Sequence, residues 1–302
     1  MPAASPPDPA TGSAPPLAAL VRPGLDPWRV GAWVAELVSV PVGLVEAYVP
    51  ISAGIDARTR EQLIITVSES NGAYASCWLH GSWLEFLGTR EPDEVLSPLF
   101  AYARSCADAG VPLDTTTLEA VYPAAVVRSV RATVATAHLG SFASNSLSGL
   151  AGRLRGRPGP GAGSLVSQAV AMGLTLPLMA PTAAVALALR AFTRLAPEPP
   201  AVELPPGDEG NLVAHLLAEA TPTYLGNAAL RTGAVWSPVP VTLAVRIEGV
   251  AASIRVGRGR ITIENGIHPE SLVIVDGGSE PLLRLVAGSI VRELTTTVRR
   301  RA

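Results

Sequence analysis

The sequence predicts a multi-domain protein of class α and α+β, in which an all-α domain is followed by a small α+β domain. A length of 302 residues is enough for two domains, each able to bury a core. Apolar residues recur at helical spacing between residues 25 and 150, whereas a period of two appears only near the C-terminus. The expected divisions are a disordered tail (1–20), an all-α domain (21–152), a linker with an apolar helical segment (153–204) and an α+β domain (205–302).

The clearest helix of the first domain runs from residue 58 to residue 70. Leu63, Ile64 and Val67 recur on one face, and Asn71-Gly72 ends the pattern. A second helix begins near residue 75 and ends at Gly88. Two more are expected over residues 93–109 and 116–138, so the domain is predicted to contain helices alone.

The middle of the chain combines a linker with an uncharged apolar stretch. RLRGRPGPGAG (153–163) interrupts both helix and strand through its Pro and Gly residues. Residues 165–189 are long enough to cross a bilayer, but polar side chains and two prolines weaken that interpretation. We expect buried or subunit-facing helices here, and membrane contact through 165–189 stays open as an alternative.

The last hundred residues combine helix and strand patterns. Apolar and polar residues alternate over 241–247, which is typical of a half-buried strand. Turn residues punctuate the rest of this region. The expected elements are a helix (211–220), a hairpin (253–256 and 260–264), a short strand (272–275), a turn (Asp276-Gly277) and a helix starting at Ser279.

Composition excludes several function classes. All 23 basic residues are arginine, so the chain has no lysine for a Schiff base, a pyridoxal phosphate or a phosphate-binding loop. The net charge of -2 gives no attraction for nucleic acid. The 2 cysteines exclude a disulfide scaffold, and the proline-rich N-terminus does not fit a signal peptide, so a cytoplasmic protein is expected. A charged fraction of only 16% favours hydrophobic partners.

One segment combines residues that can do chemistry: REQLIITVSESNGAYASCWLHG, residues 60–81. Cys77 and His80 lie three residues apart on one helix, so a thiol and an imidazole share a face. A histidine beside a cysteine can move the thiol proton. Glu61, on the preceding helix, would orient His80 if the two helices are antiparallel. A buried cysteine with a core histidine is the alternative interpretation.

This segment resembles the carboxymuconolactone decarboxylase and alkylhydroperoxidase D superfamily, whose signature is a Glu-bearing helix followed by N-G-C-x-x-C-x-x-x-H. Without gaps, Glu61 aligns with the acidic residue, Asn71-Gly72 with N-G, and His80 with the histidine. The resemblance covers residues 25–150 and implies a helical fold that assembles as a homo-oligomer.

The signature is incomplete at both cysteine positions. Ala73 and Ser76 stand where the paired cysteines would be, and Cys77 comes one residue later. One residue rotates a helical side chain by about 100°, so Cys77 is expected to point elsewhere. A peroxidase cycle would then need Cys106 or an external thiol reductant. The decarboxylase branch needs only acid-base residues, and a scaffold that has lost catalysis but kept an apolar pocket is a third possibility.

A second, more diffuse resemblance covers residues 205–302. VTLAVRIEGVAASIRVGRGRITIENG followed by SLVIVDGGSEPLLRLVAGSI is similar to the sterol carrier protein type 2 family, with Gly288 at that family's helix-ending glycine. The resemblance implies an apolar ligand cavity between a sheet and helices, and no catalytic residues. A domain that only mediates assembly is the alternative.

Together these observations predict an enzyme that acts on a hydrophobic small molecule through Glu61, Cys77 and His80. Cys77 would be the nucleophile, His80 its base and Glu61 the orienting group. Possible accessory residues are Ser76, Cys106 and Glu69. No cofactor or metal site is expected, since the other histidines lack partners at metal-ligand spacing. The alternative is a non-catalytic carrier of lipids or other hydrophobic ligands.

Overall fold

A computed structural model describes residues 27–49, 54–88, 96–156, 165–205 and 210–277 of the chain. These residues are mostly helical, with one small mixed sheet, which agrees with the predicted α and α+β layout. The helices are α1 (Pro27–Ser39), α2 (Pro41–Tyr48), α3 (Ala57–Ser70), α4 (Tyr74–Leu87), α5 (Ser97–Ala109), α6 (Thr116–Glu119), α7 (Ala124–Leu154), α8 (Leu165–Leu195), α9 (Leu212–Leu225) and α10 (Ala228–Trp236). The strands are β1 (Val202–Glu203), β2 (Val241–Ile247), β3 (Val250–Gly257), β4 (Arg260–Asn265) and β5 (Val273–Gly277).

Helices α3 and α4 form the predicted pair, and local signals set their ends. The Asp56 carboxylate caps α3 by accepting from the backbone N–H groups of Arg58 at 2.9 Å and Thr59 at 3.0 Å. Asn71 ends the helix, and Gly72 adopts a positive φ of 64° that glycine tolerates without strain. The short connection returns the chain along α3, so the polar residues of the two helices face one another.

The prediction of one continuous helix over residues 116–138 is wrong. The structure instead has the short α6, a break at Pro123, and then the long α7. Proline lacks a backbone N–H and disfavours helical conformation in the residue before it, so it suits the position just before a new helix. As a result α7 extends to Leu154 and runs past the predicted end at residue 138.

Helix α7 is the central element of the all-α part, and α1, α2, α3, α4 and α8 pack against it. The core contains one indole and a layer of aliphatic side chains. Its most deeply buried members include Trp33, Leu63, Val67, Leu99, Val130 and Cys106. Two ion pairs also connect the first helices to α7. Arg128 Nε donates to Glu46 at 3.0 Å, and Arg131 Nε donates to Glu36 at 2.6 Å.

The strands form one five-stranded sheet in the order β1-β4-β3-β2-β5. The predicted hairpin is confirmed as β3 and β4, which pair antiparallel across Arg258 and Gly259. Asp276-Gly277, expected as a turn, instead lies within β5, because that strand pairs in parallel with β2. Helices α9 and α10 pack on this sheet, and α10 is an element that the sequence pattern did not predict.

Backbone contact between two helix ends joins the all-α part to the α+β part. Gly88, at the end of α4, has a φ of 88°, and a Cβ placed there would lie 2.6 Å from the carbonyl carbon of Gly226. Only glycine fits at this position, because a side chain would meet rigid backbone. Helix α10 also contacts α4 and α8.

Some predictions fall outside the described residues: the tail at 1–20, most of the linker at 153–163, and the helix from Ser279 that includes Gly288. The apolar segment 165–189 forms part of the longer α8. In the described part of the chain, no single helix combines the length and apolarity of a bilayer span, although α1 and α2, bent by 77°, meet that test together.

Candidate acid-base site

Glu61 and His80 face each other across the α3–α4 pair. His80 Nδ1 lies 2.6 Å from Glu61 Oε2, which is a short hydrogen bond of the kind expected when one partner is charged. The Glu61 side chain is only 4% exposed, whereas that of His80 is 22% exposed. A buried carboxylate therefore holds a histidine that solvent can reach, and we name this pair the dyad.

Arg60 holds the other oxygen of the carboxylate. Arg60 Nε donates to Glu61 Oε1 at 2.9 Å, and Arg60 Nη1 donates to the Ala47 carbonyl at 2.9 Å. The guanidinium also lies 4.5 Å from the ring centroid of Tyr48. Because Ala47 is in the last turn of α2, the arginine satisfies a helix C-terminal carbonyl and compensates the buried negative charge.

Tyr48 lies beside Arg60 at the end of α2. Burial is the main cause that raises the pKa of its phenol, with Arg60 opposing and Glu61 adding to the increase. The phenol is therefore neutral at physiological pH and can donate or accept a hydrogen bond. A substrate that approaches this site would meet His80, while Glu61 stays buried behind it with its charge compensated by Arg60.

The thiol of Cys77 has a different environment from that of the dyad. Burial and the nearby Glu69 carboxylate raise its pKa to about 11, so the thiol is protonated at neutral pH. Among the described residues, no hydrogen bond joins Cys77 to His80. The structure thus brings Glu61 to His80, while the predicted nucleophile Cys77 lies near the Glu69 carboxylate, which disfavours its thiolate form.

Ser76, the residue at the second cysteine position of the resembled signature, points into the α3–α4 contact. It is buried, and its Oγ lies 2.8 Å from Ser68 Oγ. Ser76 therefore faces α3, and Cys77, one residue later, does not share its hydrogen-bond partner.

The other accessory candidates lie away from the dyad. Cys106 is fully buried in the aliphatic core of α5, and burial raises the pKa of its thiol. Glu69 is exposed near the end of α3 and acts electrostatically on Cys77. Both cysteines are free thiols.

A second histidine lies inside the helical core. His138 on α7 is fully buried, and its ring stacks on Trp33 with centroids 3.9 Å apart. Asn71 Nδ2 lies 3.2 Å from His138 Nδ1, and Asn145 Nδ2 donates to the Asn71 carbonyl at 3.0 Å. Burial lowers the pKa of His138 to about 4, so this ring is neutral at physiological pH.

Sequence reasoning identified the dyad but missed Arg60, Tyr48 and the Asn71–His138 pair. Arg60 is adjacent to Glu61, so a local ion pair was a signal in the sequence itself. Tyr48 lies on α2 and His138 on α7, so both are distant from α3 along the chain. No sequence pattern predicts that they contact residues of that helix. Within the described ranges, no group of three or more His, Cys, Asp or Glu side chains could hold a metal ion.

Comparisons with known proteins assign no family: no family model matches the chain, and no curated protein or solved structure matches it.

Proposed function

We propose that the chain is an acid-base enzyme that transfers a proton to or from a hydrophobic small molecule, with His80 as the catalytic residue and Glu61 as its positioning residue. The 2.6 Å contact between His80 Nδ1 and Glu61 Oε2 carries this proposal. The carboxylate accepts the Nδ1 proton, which leaves Nε2 with the lone pair that can remove a proton from a substrate.

The surroundings of the dyad support proton transfer more than thiol chemistry. The raised pKa of Cys77 keeps this thiol protonated, whereas a peroxidase needs a thiolate. Acid-base chemistry needs neither a thiolate nor the missing cysteine pair. The proposal therefore follows the decarboxylase branch of the family that residues 60–81 resemble, and Cys77 has no required role in it.

The experiment measures two reactions, decarboxylation and peroxide reduction, in the same set of variants. In the first, purified protein is mixed with a panel of apolar carboxylated γ-lactones, and carbon dioxide release is measured. In the second, it is mixed with cumene hydroperoxide and dithiothreitol, and hydroperoxide consumption is measured. We expect carbon dioxide release that falls at least about 100-fold in His80→Gln and Glu61→Gln.

Cys77→Ser is the matched control for this experiment and should keep the wild-type rate. The proposal is wrong if the dyad variants retain full activity, if Cys77→Ser abolishes turnover, or if only the hydroperoxide is consumed.

A non-catalytic carrier of hydrophobic ligands is the second candidate. Tyr74 and Trp78 lie one turn apart on α4 and are 46% and 40% exposed, so together they offer an apolar surface for a ligand. Native mass spectrometry with a fluorescent fatty acid should show a stoichiometric complex that Trp78→Ser weakens and His80→Gln does not affect. Binding that is absent, or equal in wild type and Trp78→Ser, contradicts the carrier.

A further inference from the structure

Three polar side chains on α7 lie at spacing i, i+3 and i+6 in a fully buried strip: His138, Ser141 and Ser144. Among the described residues, His138 Nε2, Ser141 Oγ and Ser144 Oγ have no hydrogen-bond partner. An unpaired buried polar atom is costly, and most buried polar atoms in folded proteins are paired with protein or water. Three such atoms in two turns of one helix therefore require a common explanation.

The two serine hydroxyls also lack the bond that hydroxyls in helices usually make to their own backbone. Buried hydroxyls in helices often donate to the carbonyl four residues earlier. In this chain the buried Ser82 and the half-buried Thr66 and Thr136 do so, at 2.9, 2.9 and 2.8 Å. Ser141 and Ser144 make no such bond. Their hydroxyls are thus available to a partner that is not their own helix.

The tautomer of His138 defines what that partner must offer. Asn71 Nδ2 can only donate, so His138 Nδ1 accepts, and the proton of the neutral ring is on Nε2. The strip therefore presents one N–H donor and two hydroxyls that donate or accept. Since its neighbours Asn71 and Trp33 are uncharged, a neutral ligand with an acceptor oxygen fits.

Next to the strip, α7 approaches α4. A Cβ placed on Gly140 would lie 4.0 Å from Ser76 Oγ, which is an ordinary van der Waals contact. Side chains three residues apart on a helix start about 5–6 Å from each other, which is a gap that one water-sized molecule bridges with two hydrogen bonds.

We propose that His138, Ser141 and Ser144 form an internal binding site for water, in which bound molecules accept from His138 Nε2 and bridge the serine hydroxyls. The inference does not depend on the proposed function.

The test combines a structure with stability measurements on the full chain. A crystal structure at about 1.5 Å should show ordered water within hydrogen-bond distance of His138 Nε2 and both hydroxyls. Ser141→Ala and Ser144→Ala should each lower the folding equilibrium constant by about tenfold in urea unfolding, since each removes a bonded hydroxyl and leaves a water short of a partner.

Ser82→Ala is the matched control, because Ser82 is equally buried on a helix but bonds to its own backbone. Its folding constant should change by less than about twofold. The inference is overturned if the strip shows no ordered water, or if Ser141→Ala and Ser144→Ala stabilise the protein relative to Ser82→Ala. Stabilisation would mean that the hydroxyls are truly unpaired.

Discussion

Acid should destabilise this protein through one buried histidine. The pKa of His138 is lowered to about 4 from the ordinary value of 6.5, because the ring is desolvated in the core. Each pKa unit corresponds to 1.36 kcal/mol of differential stability, so the neutral ring contributes about 3 kcal/mol. The unfolded chain binds the proton more tightly than the folded chain. The free energy of unfolding therefore falls as pH decreases from about 6.5 to about 4, and this contribution is absent below that window.

Urea unfolding at a series of pH values, followed by tryptophan fluorescence, measures this effect. His138→Phe keeps an aromatic ring against Trp33 but cannot titrate. The variant loses the bond from Asn71 and is expected to be less stable at neutral pH, so the comparison uses slopes rather than absolute values. Between about pH 6.5 and pH 4 the wild type should lose about 3 kcal/mol more than His138→Phe.

Carboxylates that titrate near the lower end of the window are present in both proteins, so their effect cancels in the difference between the two curves. Parallel curves for wild type and His138→Phe would refute the reasoning. They would show that the histidine is either protonated in the folded state or accessible to solvent.

Three further predictions concern other parts of the chain. Iodoacetamide should alkylate Cys77 slowly at neutral pH and faster towards pH 11, and Glu69→Gln should increase the rate; stoichiometric labelling at pH 7, seen by intact mass, would contradict the raised pKa. Gly88→Ala should lower the free energy of unfolding by about 2 kcal/mol because of its positive φ, whereas Gly81→Ala, with open space around it, should be neutral or stabilising in the same thermal scan. Arg60→Ala should cost about 3 kcal/mol in urea unfolding because it uncovers a buried carboxylate, and an unchanged midpoint would contradict that role.

The short-range signals in the sequence predicted much of the local structure. Asp56 and the Asn71-Gly72 pair set the ends of α3, and the alternation over 241–247 matched β2. These features depend only on residues that are neighbours along the chain, so they can be predicted without knowledge of the fold. Pro123 carried an equally local signal, since proline favours a helix start, yet the predicted helix was continued through it.

The sequence by itself determined that a carboxylate, an imidazole and a thiol are concentrated in residues 60–81, and that Glu61 and His80 could meet across a helical hairpin. Only the tertiary structure decided which of these three groups contact one another. The packing of α3 against α4 places Glu61 Oε2 2.6 Å from His80 Nδ1. Cys77, one residue after the second cysteine position of the signature, instead lies near Glu69. Helix α7 placed His138 in the core, where burial keeps it neutral. Those outcomes depend on packing between distant segments, because desolvation and charge proximity are set by three-dimensional neighbours and not by spacing along the chain.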